Sequence, residues 1–375
     1  MAPAVVAHLV LCAVIAVGAV NRLFAWRRNP SDRAARAVFF ALACFEVSTL
    51  LGLAAVYWPI YRAFGEVPGF PQVIQHLTGM GAAYFSLAFV LAVVSPEVAL
   101  TSRIRLLGGA VVLTLVCYLL GPFRLGLVSL PERGSPDSGV FAYVLAWQLY
   151  CVVATVDTVR HVWTHKSRER GVMRASLTLL GIGSALTLAH SVHKIGYAAA
   201  VWLGTPPPWP EHGLAGIQIF LVVPAGVCTL AGLLLPSAAA GARRRRLHRQ
   251  LAPLATALDV PDRGGFGSRT RLLNRVIGIR DAMLGPVRPR LDAAVHDAAL
   301  AHFLGVGLAE PDARAYAEAA SVDAALRGGR GGEPPSFFAP SPEDEADWLA
   351  RVSAAYADLQ TSSGSMEWRR RTTAP

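Results

Sequence analysis

The sequence predicts an all-α protein in which a bundle of seven transmembrane helices is followed by a small cytoplasmic helical domain. Seven apolar stretches fill residues 1–236, and at about 20 residues each is long enough to cross the roughly 30 Å hydrocarbon core of a bilayer. The residues that follow are polar. A hydrophobic content of 53%, a mean hydropathy of +0.42 and a charged fraction of 16% are typical of a membrane protein with several spans.

The predicted spans run over residues 3–20, 37–58, 73–94, 104–122, 139–157, 175–203 and 214–235. The first span has no basic residue before its apolar run and arginines after it, so we expect a retained helix rather than a cleaved signal peptide. All five cysteines lie within the spans. They are expected to pack as small apolar side chains, without a disulfide framework or a zinc site.

The distribution of arginine among the loops predicts the orientation. Basic residues gather after spans 1, 3, 5 and 7, where Arg243–Arg246 form an uninterrupted run, whereas the alternate loops hold only Arg62, Arg124 and Arg133. Because basic residues are retained on the cytoplasmic side, we expect the N-terminus outside and the C-terminus in the cytoplasm. The net charge of +10 is then mainly a topology signal, and no nucleic-acid partner is expected.

The amino-acid usage also bears on the location. Nearly all basic residues are arginine, and the chain is rich in alanine, glycine and proline, which is typical of GC-rich bacterial genomes. The expected location is therefore a bacterial plasma membrane, with the lipid bilayer as the first partner of the chain.

The region after span 7 divides into three parts. Residues 237–268 form a basic juxtamembrane segment and linker, residues 269–360 a cytoplasmic helical domain, and residues 361–375 a tail that is predicted to be disordered. Helices are expected over residues 269–287, 292–304 and 311–326, and in a last helix that begins at Ser341 and Pro342.

Two of these predicted helices carry apolar stripes at helical spacing. The first stripe is Leu272, Val276, Ile279 and Met283, and the last helix presents Trp348, Val352, Ala355, Tyr356 and Leu359. Neither short helix can bury its stripe alone, so we expect the two stripes to pack together in a small bundle. A cytoplasmic protein partner is expected for this bundle.

The segment Arg271–Asp281 (RLLNRVIGIRD) resembles the signature R-L-x-R-R-V-I-E-I-R-D of a group of actinobacterial integral membrane proteins. Glu343–Ala357 is similar to the closing helix of the same proteins. The matching signature positions are Arg271, Arg275, Val276, Ile277, Ile279, Arg280 and Asp281, whereas Asn274 and Gly278 depart from the pattern. The resemblance implies seven membrane helices and a C-terminal domain of unknown function. Since the group is commonly described as transporters, it also implies transport of an unassigned solute.

Ionisable and amide side chains inside the spans predict a polar intramembrane site. Such groups are costly in hydrocarbon unless they are paired or wetted. The candidates are Glu46, His76, Gln148, His190, His193, Lys194 and Gln218, most of them in the predicted outer half of the bilayer. Alternatively, Glu46 and Lys194 pair to lock two spans, or Lys194 reaches the outer headgroups. His190 and His193 suit interhelical hydrogen bonds, since the sequence fixes no third ligand for a metal.

The sequence leaves two functions open. No Walker loop, G-x-S-x-G, H-E-x-x-H or C-x-x-C motif is present, so neither an enzyme nor a cofactor is expected. The odd number of spans, the lack of a visible repeat and the cytoplasmic domain favour a sensor that relays an unknown small-molecule or ion signal. The alternative is a secondary transporter that uses Glu46 and the His190, His193 and Lys194 cluster for coupling or substrate binding.

Overall fold

The computed structural model describes residues 3–130, 135–209, 217–262, 264, 267–329, 331–335 and 344–361. Within these residues the regular structure is entirely helical, so the predicted all-α class is confirmed. The chain divides into two compact units, Met1–Pro236 and Ser237–Pro375.

The first unit is built from long apolar helices. Its elements are α1 (Pro3–Arg28), α2 (Arg33–Leu51), α3 (Ala54–Ala63), α4 (Phe70–Val94), α5 (Thr101–Tyr118) with a π-helical extension (Leu119–Phe123), α6 (Ser138–His165), α7 (Gly171–Trp202) and α8 (Ile217–Gln250). Within the described residues, seven of these helices are long and apolar enough to cross a membrane, and α3 is the exception. This number agrees with the predicted spans and indicates a multi-pass membrane protein.

The predicted second span, residues 37–58, is divided in the structure. Helix α2 ends at Leu51, Gly52 caps it, and α3 begins at Ala54. At 19 residues α2 is about 28 Å long, which already matches the hydrocarbon core. The rest of the apolar run forms a separate short helix in which Tyr57 and Trp58 are stacked edge to face. Aromatic residues of this kind are typical of membrane–water interfaces.

Small residues set the separation of α7 and α8. A Cβ atom added at Gly183 would lie 2.4 Å from Thr229 Oγ1 and 2.9 Å from the carbonyl oxygen of Ala225. About two turns beyond Ala225 on α8, the carbonyl oxygen of Gly232 accepts a hydrogen bond of 2.7 Å from the Ser176 hydroxyl. The two backbones therefore approach closely, as is common for membrane helices that meet at glycine.

Within its described residues, the second unit contains the final turns of α8, a short 3-10 helix (Arg288–Arg290) and five further α-helices. These α-helices are α9 (Ala252–Ala257), α10 (Ser268–Leu284), α11 (Ala293–Gly305), α12 (Glu310–Leu326) and α13 (Glu345–Thr361). The four helices expected in the cytoplasmic domain correspond to α10 to α13, whose bounds differ from the predicted ones by a few residues. The predicted N-cap at Ser341 and Pro342, and the tail beyond Thr361, lie outside the described residues.

The expected packing of the two amphipathic stripes is confirmed. Val276, Ile279 and Met283 of α10 share one buried core with Trp348 and Val352 of α13. The middle of that core is formed by α12, whose alanines allow close approach of the helices around it. This helix is also joined to α13 by a polar contact, in which the Tyr316 hydroxyl donates to Asp358 Oδ2 at 2.5 Å. Burial and this hydrogen bond raise the pKa of Tyr316 to about 12.

Candidate functional site

The first unit encloses a cavity of about 400 Å³ between five of its helices, α2, α4, α6, α7 and α8. This volume lies within the range of about 300–1,000 Å³ that small-molecule sites occupy. Along α4 the lining extends from Gln72 to Ser86, a distance of about 20 Å along the helix. The cavity therefore reaches from the first turn of α4 far into the apolar bundle.

The wall of the cavity is formed by polar stripes on otherwise apolar helices. Helix α7 contributes Ser184, Thr187, Ser191 and Lys194 at intervals of three or four residues, together with His190, which lies three residues after Thr187 and four before Lys194. Such spacing places all of them on one helix face. Helix α6 presents Gln148, Cys151, Thr155 and Thr158, which are also spaced by three or four residues and so share one face. Sequence reasoning identified the histidines, the lysine and Gln148 but missed the hydroxyl residues, although their helical spacing was a usable signal.

The side-chain amide of Gln148 is the least satisfied polar group of this wall. Gln148 is 0% exposed, and neither its oxygen nor its nitrogen has a hydrogen-bond partner among the described residues. The indole nitrogen of Trp147 and the hydroxyl of Ser86 are likewise buried without a partner in that part of the chain. Because buried polar groups are normally hydrogen-bonded, this wall is suited to a molecule with both donors and acceptors.

His76 is held in a fixed orientation at the cavity wall. Its Nδ1 atom lies 2.7 Å from the hydroxyl oxygen of Tyr143, which is 2% exposed. Its ring also stacks on Trp147, with ring centroids 4.2 Å apart and an angle of 15° between the planes. These contacts connect α4 to α6 and fix the imidazole against the cavity.

Lys194 brings a charged group into the lining. It is 5% exposed, and the described lining residues include no carboxylate. His76 and His190 lie in the same wall as Lys194. Charged groups at membrane depth commonly mark ligand or ion sites.

The other three candidates do not join this group. Glu46 and His193 are not among the lining residues, and the side chain of Gln218 lies outside the described residues. The carboxylate of Glu46 is within electrostatic range of His8 and Cys12 on α1. The described residues show no ion pair between Glu46 and Lys194, so the pairing that the sequence left open is not observed. The structure therefore brings together His76, Gln148, His190 and Lys194.

Two arginines of the signature segment have structural roles in the second unit. Arg275 donates to the carbonyl oxygen of His248 at 2.7 Å and pairs with Asp262 at 3.1 Å. Arg280 pairs with Glu345 at 2.5 Å and so connects α10 to α13. Val276 and Ile279 are buried in the core, whereas Arg271, Ile277 and Asp281 are exposed.

Gly278, one of the two positions that depart from the signature, packs closely against Val260. A Cβ atom at this position would lie 2.5 Å from Cγ1 of Val260. The glutamate that the resembling proteins carry would therefore displace Val260 in this chain.

An all-helical chain with seven membrane-capable helices, a polar cavity between them and a separate helical domain defines a multi-pass membrane protein. Residues 240–358 match the model of a family of unknown function, DUF6545. No curated protein and no solved structure matches the chain. The family match agrees with the resemblance in assigning a domain of unknown function to the C-terminal region.

Proposed function

We propose that this protein is a membrane sensor, in which a small polar molecule bound in the cavity alters the binding of a soluble protein to the C-terminal domain. The observation that carries the proposal is the Gln148 amide, which is fully buried at the cavity wall without a partner among the described residues. An unsatisfied buried amide costs about 1–3 kcal/mol, which a ligand with a donor and an acceptor would offset.

Helix α8 supports the proposed transmission of a signal from the cavity to the C-terminal domain. It contributes Val222, Ala225 and Thr229 to the cavity wall, and farther along the same helix Leu247 belongs to the core of the second unit. A ligand that favours one position of α8 would therefore act on an element shared by both units. The ligand shifts the equilibrium only as far as its affinities for the two states differ.

The proposed setting is a bacterial plasma membrane with the N-terminus outside and the C-terminus in the cytoplasm. In this orientation α4 begins at the outer face, where Gln72 lies in its first turn and lines the cavity. The ligand then enters from outside. The proposal requires no enzymatic activity, metal or cofactor.

A secondary transporter is the second candidate. Pro224 lies in α8 between the lining residues Val222 and Ala225, and proline removes a backbone hydrogen bond from a helix. Interrupted helices beside a binding site are typical of transporters. This candidate fits the description of the resembling actinobacterial group, with Glu46 and the His190, His193 and Lys194 cluster as coupling groups.

The sensor proposal is tested by occupying the cavity covalently. Ser191 lines the cavity and is 1% exposed, whereas the adjacent Val192 is 58% exposed. In full-length protein whose native cysteines are replaced by alanine, S191C would carry a small thiol adduct inside the cavity. V192C would carry the same adduct on the outer surface of the unit. Amide hydrogen exchange of residues 268–361 is then compared before and after labelling in bilayers.

For a sensor, the adduct at S191C is expected to change exchange in the second unit by about fivefold or more, since allosteric coupling is typically 1–3 kcal/mol. The adduct at V192C should change nothing there. Unchanged exchange after complete labelling of S191C would contradict the relay. If proteoliposomes containing a chain without residues 260–375 accumulate a solute, and Glu46→Gln stops the uptake, the transporter replaces the sensor.

A further inference from the structure

The second unit contains a small pocket of about 130 Å³ that is lined by basic and hydroxyl side chains. Arg245, His248 and Arg249 come from the last turns of α8, and Ser268 and Arg271 from the first turn of α10. Arg245 and Arg249 are four residues apart, and Ser268 and Arg271 three, so each pair occupies one face of its helix. Two helix faces therefore place three arginine side chains around one small volume.

The three arginines that line the pocket differ from nearby arginines in their ion pairing. Arg243, Arg275 and Arg280 each pair with a carboxylate, on Asp347, Asp262 and Glu345 respectively. Arg245, Arg249 and Arg271 form no ion pair within the part of the chain that the structure describes.

Asp262 is the carboxylate that approaches the pocket. It lies 3.1 Å from Nη2 of Arg275 and 3.7 Å from Nε2 of His248. Because Arg275 and Asp262 offset each other, the three lining arginines leave the pocket with an excess of positive charge.

The start of α10 adds to this positive charge. The helix begins at Ser268 after Gly267, whose φ of 97° is the left-handed backbone conformation that glycine favours. Its first turn contains no acidic residue, and no side chain among the described residues caps it. The amide groups of a 17-residue helix therefore add a partial positive charge beside the Ser268 hydroxyl.

We propose that this pocket binds a phosphate group, either that of an anionic phospholipid headgroup or that of a small soluble phosphate. Guanidinium groups bind phosphate oxygens through paired, charge-assisted hydrogen bonds, and a hydroxyl and a helix N-terminus complement them. The lipid source follows from the position of the arginines, because basic residues that follow a membrane span are attracted to anionic headgroups. This site is independent of the proposed sensor function.

The test uses the full-length protein and amide hydrogen exchange of residues 268–275. One arm adds inorganic phosphate to protein in neutral detergent, against chloride at equal ionic strength. The other arm compares bilayers of phosphatidylcholine with bilayers that also contain phosphatidylglycerol. Protection in the first arm identifies a soluble phosphate as sufficient, and protection in the second arm alone identifies the headgroup.

The variants R249Q and R271Q are each expected to weaken binding of the phosphate group about tenfold, because each loses one charged hydrogen bond. S268A should weaken it about threefold. The control R351Q removes the same charge from an exposed position on α13 and should leave protection unchanged. Exchange in α13 shows whether each variant is folded. Absence of protection in both arms, or equal weakening by R351Q and the pocket variants, would overturn the proposal.

Discussion

The indole nitrogen of Trp348 donates a hydrogen bond of 3.1 Å to Oε2 of Glu318, joining α13 to α12 inside the core of the second unit. Glu318 is 1% exposed and Trp348 is 6% exposed. A carboxylate buried this deeply is strongly destabilising unless its oxygens accept hydrogen bonds. The contact therefore helps to offset the cost of burying an ionisable side chain among alanines.

Replacing Trp348 with phenylalanine keeps an aromatic ring and removes the donor. We expect W348F to lower the free energy of opening of α13 by about 1–3 kcal/mol, because Glu318 loses the hydrogen bond from the buried indole. Hydrogen exchange of α13 amides in the full-length protein measures this change. A double-mutant cycle with E318M, which removes the acceptor oxygens, should give a coupling energy above about 0.5 kcal/mol, and additive effects of the two substitutions would contradict the contact.

The close approach of α7 and α8 predicts the effect of a single methyl group at Gly183. The new Cβ would clash with the backbone of α8, so G183A should destabilise the membrane unit by about 1–3 kcal/mol. The measurement is the thermal unfolding temperature in detergent, which should fall by several degrees. Gly196 lies on the same helix, and a Cβ there meets nothing within 4 Å, so G196A is the matched control and should cause no loss.

The buried stripe of α10 predicts opposite results at two adjacent positions. Val276 is 8% exposed and Ile277 is 48% exposed. V276D would place a charge in the core and should loosen the second unit by more than about 3 kcal/mol, whereas I277D should be nearly neutral. Limited proteolysis of residues 260–360 in the full-length protein distinguishes them. Equal protease resistance of both variants, with membrane insertion intact, would contradict the packed core.

The proposed orientation predicts which loops a membrane-impermeant thiol reagent reaches in intact cells. In protein without its native cysteines, Thr205→Cys in the segment after α7 should react from outside. Ser31→Cys between α1 and α2 should react only after the membrane is permeabilised, because arginine-rich loops are retained in the cytoplasm. Both positions are exposed, so access to the aqueous phase is decided by the side of the membrane. The reverse pattern of labelling would invert the proposed topology.

The sequence by itself determined the partition of the chain and most of its helices. Seven apolar runs are recognisable because the thickness of a bilayer fixes the length of a spanning helix. In the second unit, the spacing of Val276, Ile279 and Met283 indicated a buried face, and that face shares one core with Trp348 as expected. Both results rest on local periodicity, which is a property of one helix and can be counted along the chain.

Only the tertiary structure decided which polar residues share a cavity. Helical spacing shows that Ser184, His190 and Lys194 lie on one face, but it does not show which neighbour that face meets. The close contact at Gly183 helps to set the separation of α7 from α8, and the cavity lies among α2, α4, α6, α7 and α8. That arrangement brings Gln148 to the wall and leaves Glu46 near α1. The azimuth and separation of packed helices depend on contacts between residues distant in sequence, and no single helix carries that information.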